Sequence, residues 1–422
     1  SGDNPRAKNV LVHLGQMHLS LLNLNEAAFF MVEYGQKYPN DANSKPLLQQ
    51  AATIYSKTGK ALEAFQVFES LGLKNQGLAV LAQWQRWDDL YLKATDASGL
   101  TEQYYQGLST FRLKSSQNSV DSKSLEIFEG LINAGPSNDL DNGLWSHAGI
   151  IVAETKLNAL KSQMQKEGFS TENLQKVLAQ YEQISAINQK VIKGGSGIWR
   201  LGALLLEAHL NNIVAEYLKQ SKPPPGMSLA QFKTVLDPQI NQYTDLSHQY
   251  FSTCVNAAEE NALITGYAGA CRRKKLASEV GEFFSLGRQF YKNALSKQFQ
   301  EELKKNPKSA EVIKQIAIEK MQANDNISAI PILGRAQELD PNSSDIEALT
   351  ALAWLRFGAD SEAMRVATEG IKKNPNDRLA LEIQSALYAK YGYFHKQNPI
   401  RSQLNGKVSK YSSMIPKYKQ YK

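Results

Sequence analysis

"NPKSAEV" at 306–312, "DPNSSDI" at 340–346 and "NPNDRLA" at 374–380 decide the fold. Each opens with an Asn-Pro or Asp-Pro step, and Pro307, Pro341 and Pro375 stand 34 residues apart, twice. Proline lacks an N–H and ends the helix before it, while the Ser, Asn or Asp that follows caps the next one. Two helices and two turns fit into each interval, so the spacing predicts a tandem array of helical hairpins.

Side chains of one type recur at fixed offsets inside the intervals. Before Pro341 they are Ile313, Ile316, Ala317, Lys320, Ala329, Leu333 and Ala336; before Pro375 they are Glu347, Thr350, Ala351, Trp354, Ala363, Ala367 and Gly370. A half-unit follows with Leu381, Ser385 and Tyr388. The N-terminus carries a clearer copy in Leu11, Leu14, Gly15, His18, Ala27, Met31, Tyr34 and Pro39. A second runs through Leu48, Ala51, Ala52, Tyr55, Ala64, Phe68 and Leu71, with Gly59 in the turn and Gln76 where the closing proline belongs. This pattern resembles the tetratricopeptide repeat family. Ala317, Ala351, Ala329 and Ala363 carry the resemblance best, because they fall where paired helices approach too closely for a large side chain. It covers about 170 residues.

The expected organisation is N-terminal hairpins over 1–95, divergent hairpins over 96–305, a C-terminal array over 306–395 and a basic Tyr/Lys-rich tail over 396–422. Residues 77–95 read as a shorter hairpin with two tryptophans. The middle abandons the 34-residue period but keeps three-to-four apolar spacing over 141–166, 170–193 and 197–220. It reads either as part of one continuous stack or as a separate helical domain. The fold class is all-α, a helical-hairpin solenoid with irregular longer helices in the middle, and helix is expected to exceed about two-thirds of the chain.

Composition agrees. The chain has 422 residues, 42% of them hydrophobic, too many for general disorder. No apolar run approaches the length of a membrane span. The net charge of +7 is concentrated at one end: no acid follows Glu382, whereas Lys390, Lys396, Arg401, Lys407, Lys410, Lys417, Lys419 and Lys422 do. Residues 1–382 hold 40 basic and 41 acidic groups, so the body is neutral and gives no footprint for nucleic acid. The tail, with Tyr411, Tyr418 and Tyr421 among lysines and Pro399, Gly406 and Pro416 as breakers, reads as an accessory arm, either mobile or packed as an extended strip.

No catalytic or metal-binding motif emerges. His13, His18, His147, His209, His248 and His395 include no pair at i, i+4. There is no P-loop and no G-x-S-x-G elbow. Gly194–Gly197 reads as an inter-helix turn, and Glu259-Glu260 and Glu301-Glu302 as solvated faces. Arg272-Arg273-Lys274-Lys275 reads as a charged helix end favoured by the macrodipole, with an anion patch as the sharper alternative. Neither cofactor nor metal is expected.

The resemblance implies that the first helix of each hairpin binds peptides or protein surfaces. The candidates are Asn9, Val12, Gln16 and Leu19 in the first unit and Gln49, Thr53 and Ser56 in the second. In the C-terminal array they are Lys314, Ile318, Met321, Ala348, Leu352 and Leu355. One subclass grips a C-terminal carboxylate with Lys and Asn. Val12, Gln16, Lys314 and Ile318 fill those positions here and depart from it. The C-terminal groove reads as apolar, suited to an amphipathic helix or an extended apolar segment. The implied function is a non-enzymatic scaffold for other proteins. Its degenerate arrays resemble bacterial envelope scaffolds, including those of gliding-motility machinery. The alternative is an anionic-polymer or nucleic-acid binder using the tail.

Two cysteines, Cys254 and Cys271, flank Glu259-Glu260-Asn261, and their midpoint of 262.5 lies within two residues of that break. In an antiparallel pair they face each other, so a disulfide is expected, with buried free thiols as the alternative. A disulfide implies a periplasmic or otherwise extracytoplasmic location; without it, cytoplasmic is the alternative. The chain opens at Ser1 without Met, as expected for a processed or trimmed chain.

Overall fold

A computed structural model of the chain describes residues 5–115, 121–167, 169, 171–195, 197–223, 225–274, 291 and 295–418. Lys275 of the basic run and Tyr421 of the tail lie outside these residues. Among the described residues the fold is all-α and contains no strand, and helix accounts for 79%, above the expected two-thirds. The chain divides into two compact units, Ser1–Lys93 with Phe284–Gln420, and Ala94–Phe283 with Tyr421–Lys422.

The first unit opens with α1 (Pro5–Ser20), α2 (Leu24–Lys37), α3 (Ser44–Thr58), α4 (Ala61–Ser70), α5 (Lys74–Gln83) and α6 (Trp87–Lys93). Short turns force each helix back against the one before it, and α1 through α6 pack in sequence. The positions read as close approaches are sealed: Ala27, Ala51, Ala52 and Ala64 are fully buried. Gly77 shows why α5 tolerates no larger residue there, since a Cβ would lie 2.8 Å from Phe65 Cδ2 and 3.1 Å from the Phe65 Cα. The absent proline at Gln76 is replaced by a tight exit through Gly72, whose φ of +73° only glycine adopts cheaply.

The second unit holds α7 (Leu100–Lys114), α8 (Ser122–Ala134), α9 (Asn142–Glu167), α10 (Thr171–Gly194), α11 (Gly197–Gln220), α12 (Leu229–Glu260) and α13 (Gly266–Arg273). The three long periodic stretches become α9, α10 and α11, and Gly194 and Gly197 end one helix and begin the next. Helix α12 is longer than the sequence reading implied: it spans 32 residues and runs through Pro238. A capping box between Ser228 and Gln231 starts it. The apolar α11 packs against α9, α10, α12 and α13 and is buried on nearly every side. Cys254 on α12 and Cys271 on α13 are both buried and joined as a disulfide, with Cα atoms 5.8 Å apart. Arg272 pairs with Glu259 across the same hairpin, so this part of the basic run is not an open patch.

The first unit resumes with α14 (Lys297–Lys305), α15 (Ala310–Gln322), α16 (Asn326–Leu339), α17 (Ser344–Phe357), α18 (Asp360–Lys373), α19 (Arg378–Tyr391) and α20 (Phe394–Leu404). The repeat is visible in the backbone itself. Ser309, Ser343 and Asp377 are the N-caps of α15, α17 and α19, and the Ser309 and Asp377 side chains accept from Val312 N and Ala380 N. Asn324, Gly358 and Gly392, again 34 apart, take left-handed φ of 60°, 95° and 77° where those helices end. Ala317, Ala329, Ala351 and Ala363 are fully buried. One difference concerns the boundary drawn at 395. Despite Pro399, residues Phe394–Leu404 form a helix packed on α19, so the half-unit is a complete hairpin. Tertiary packing overrides the missing backbone donor.

Candidate interaction surfaces

The α1 face exposes an open cavity of about 620 Å³. Val12, Gln16 and Leu19, three of the four residues picked from the first unit, line it beside Phe30 and Met31 of α2. Asn9 lies outside it, and its carbonyl bonds His13 Nδ1 at 2.8 Å. Gln16 is exposed, Val12 half-buried and Leu19 buried, so the cavity has an apolar floor and a polar lip. Met17, 47% exposed, adds apolar surface at the edge. Lys308 and Arg335 complete the rim; Lys308 is exposed, whereas the Arg335 guanidinium is paired with Glu338 at 2.8 Å.

The wall of this cavity is fastened by Asp41 in the α2–α3 turn. Its carboxylate accepts from Lys8 of α1, from Asn43 N at 2.8 Å and from Tyr34 Oη at 2.9 Å. The Lys8 hydrogen bond, followed by those from Asn43 and Tyr34, holds the Asp41 carboxyl down at about 2. Burial, then Asp41 itself, pushes the Tyr34 phenol up.

The second set is only partly available. Gln49 and Thr53 are exposed and Ser56 half-buried. The hydroxyls of Thr53 and Ser56 are spent on the carbonyls of Gln49 and Ala52, at 2.9 and 2.7 Å. Helix α16 packs on α3, and Thr53 faces Pro331, Gly334 and Glu338 across a narrow cleft. Thr53 lies on an exposed face of α3, as the sequence reading has it, but the sequence does not reveal the helix opposite.

The C-terminal set differs most from a free groove. Lys314 is half-buried, bonded to Glu311 at 2.5 Å with Asp345 3.7 Å away. Ile318, Met321, Ala348, Leu352 and Leu355 are all buried. Asp345 and Arg356 are eleven residues apart, three turns on the same face of α17, with Ala348 and Leu352 between them. The chain's own segment 409–418 runs along this stripe. Ser409 donates from its backbone N–H to Glu382 Oε1 and from its hydroxyl to Oε2, the latter at 3.0 Å. Arg356 Nη1 donates to the Met414 carbonyl at 2.9 Å, and Lys390 Nζ lies 4.4 Å from the Tyr418 ring centre. Glu382, Arg356 and Lys390 were not among the residues picked from sequence. One signal pointed to Glu382: it is the last acid before the basic tail.

No group of three His, Cys, Asp or Glu suited to a metal occurs among the described residues. His18 stacks on Phe30 at 5.3 Å, and His147 stacks on Trp199 at 4.3 Å while bonded to Tyr104 Oη, so both serve packing. The second unit buries a carboxylate, Glu207, which accepts from Ser185 at 2.6 Å and Asn188 at 2.9 Å. Burial, then Glu207, pushes the neighbouring Tyr181 phenol well up.

No family model matches the chain. No curated protein matches it. Among solved structures it is similar to the P58(IPK) TPR domain, at 12% identity over 96% of this chain and 95% of that one, with a TM-score of 0.23. It is also similar to yeast Tom70, at 10% identity over 99% and 93%, TM-score 0.24. A third is the APC/C hetero-tetramer Cut9-Hcn1, at 11% identity over 97% and 95%, TM-score 0.21.

Proposed function

We propose that this chain is a non-enzymatic scaffold that holds segments of other proteins on the first helices of its hairpins. The observation that carries this reading is the α1 cavity, where Val12, Gln16 and Leu19 converge on apolar Phe30 and Met31 beside the exposed Lys308. Such a site accepts an apolar side chain by burial and steers an acidic neighbour to Lys308. The Cys254–Cys271 disulfide supports an extracytoplasmic location, which is the compartment an envelope-assembly role requires.

A photo-crosslinking residue placed at Gln16 in the native host tests the reading, with the same residue at Asn9 as control. A discrete protein adduct at position 16 and none at 9 supports it. No adduct at 16 overturns the assignment of this cavity. The alternative, an anionic-polymer binder using the basic tail, predicts instead an affinity for polyanions that falls steeply with salt.

A further inference from the structure

We infer that the face formed by α15, α17 and α19 is a second, peptide-binding groove, that the chain's own segment 409–418 now occupies it, and that a segment of the same chemistry from a partner displaces this arm. The arm is held as a ligand is held. Two of its anchors use backbone groups, the Ser409 N–H and the Met414 carbonyl, which a peptide of any sequence presents, and between them the arm turns through a 3-10 helix at Ser412–Met414. Two use side chains, the Ser409 hydroxyl on Glu382 and the Tyr418 ring beneath Lys390.

The burial is one-sided. Ile318, Met321, Leu352 and Leu355 on the groove side are buried, whereas no residue from 405 to 418 is. A segment belonging to the core would bury side chains of its own. The arm also leaves α20 through a ready-made pivot. Asn405 and Gly406 are both left-handed, with φ of 47° and 71°, and the next two residues, Lys407 and Val408, are exposed. The anchors fix the class of partner. Glu311 and Asp345 are already matched by Lys314, so the groove's distinctive features are Glu382, which takes the Ser409 donors, Arg356, which takes a carbonyl, and Lys390, which lies over a ring. The displacing segment therefore carries a hydroxyl residue for Glu382, a short helical turn like Ser412–Met414, and an aromatic ring about nine residues after the hydroxyl for Lys390.

The scaffold reading supplies the reason for a partner, but the two are tested separately, because the Gln16 crosslink reports only on the α1 cavity. The probe is a fluorescein-labelled synthetic peptide of residues 405–418, followed by anisotropy. It is titrated into the full-length chain and into the full-length double variant Ser409→Pro/Tyr418→Ala. The variant removes the donor pair and the ring, together with the Tyr411 N–H contact to the Ser409 hydroxyl within the arm, and leaves α15, α17 and α19 untouched. If the arm fills the groove nine-tenths of the time, the variant binds the probe about tenfold more tightly than the wild type. Adding Glu382→Gln to the variant weakens binding again. Equal binding by wild type and variant overturns the inference, as does a helical variant that binds nothing or that ignores Glu382→Gln. Hydrogen exchange on the unaltered chain gives an independent measure. The Ser409 amide is protected relative to its exposed neighbours, and an unprotected Ser409 refutes an occupied groove.

Discussion

Replacing Glu207 tests how the second unit is held together. The side chain is 1% exposed, and its carboxylate accepts from the Ser185 hydroxyl and from Asn188, whose own side chain is fully buried. Truncation to Ala removes both acceptors. The Asn188 donor is then stranded at a cost of about 1–3 kcal/mol. The void left by the lost atoms adds about 1–2 kcal/mol, while release of a buried charge gives part of this back. The net expectation is roughly 3 kcal/mol of destabilisation. Glu207→Gln behaves differently. Its carbonyl still accepts from Asn188 and its amide donates to the Ser185 oxygen, so both contacts survive as neutral hydrogen bonds. That variant is expected to lose no more than about 1.5 kcal/mol. Urea unfolding followed by far-UV circular dichroism, with amide exchange in α10 and α11 to localise the loss, measures the pair. If Gln is as damaging as Ala, charge rather than hydrogen-bond satisfaction holds the site. If Ala changes nothing, the network is not structural.

Ala363→Leu and Ala329→Leu force new methylenes into fully buried helix contacts and are expected to cost about 1–3 kcal/mol each; a melting temperature equal to wild type contradicts the repeat register. Thiol counting under denaturing, non-reducing conditions is expected to find none in protein from an oxidising compartment, and reduction is expected to cost the second unit roughly 3 kcal/mol for a bridge across 17 residues. The Asp41 carboxyl is depressed below its ordinary 3.8 to about 2, so its contribution is complete above about 4 and disappears as pH falls towards 2. Asp41→Asn therefore flattens the acid limb of exchange protection at the Asn43 amide. An unchanged limb means that another group is responsible.

The array was legible because caps and breakers are local chemistry. Pro307, Pro341 and Pro375 located the turns, and Ser309 and Asp377 cap as their position implies. Gly358 and Gly392 carry the same 34-residue period and stop α17 and α19 by a left-handed cap, a second signal of equal weight. What lies against each face was not legible. The residues from Lys314 to Leu355 fall on α15 and α17, but the arm beside them bonds Arg356 from 58 residues away and Glu382 from 27, with no periodicity to announce it. For the same reason Thr53 gave no hint of α16. Glu207 offered a readable clue. It sits in "LLLEAHLNN", a helix apolar on almost every side, so a polar residue there is buried whichever way the helix turns.

Tyr291 ties together parts of the first unit that are made far apart in time. Its backbone N–H bonds the Thr58 carbonyl and its hydroxyl the Leu22 carbonyl, 269 residues upstream. At ribosomal rates of about 5–20 residues per second, the N-terminal hairpins wait roughly 15–50 s for this partner to emerge. Residues 94–283, which make up nearly all of the second unit, are made within that interval. Release of the chain between residues 283 and 291 would thus leave the first unit without its C-terminal half while nearly all of the second is already made.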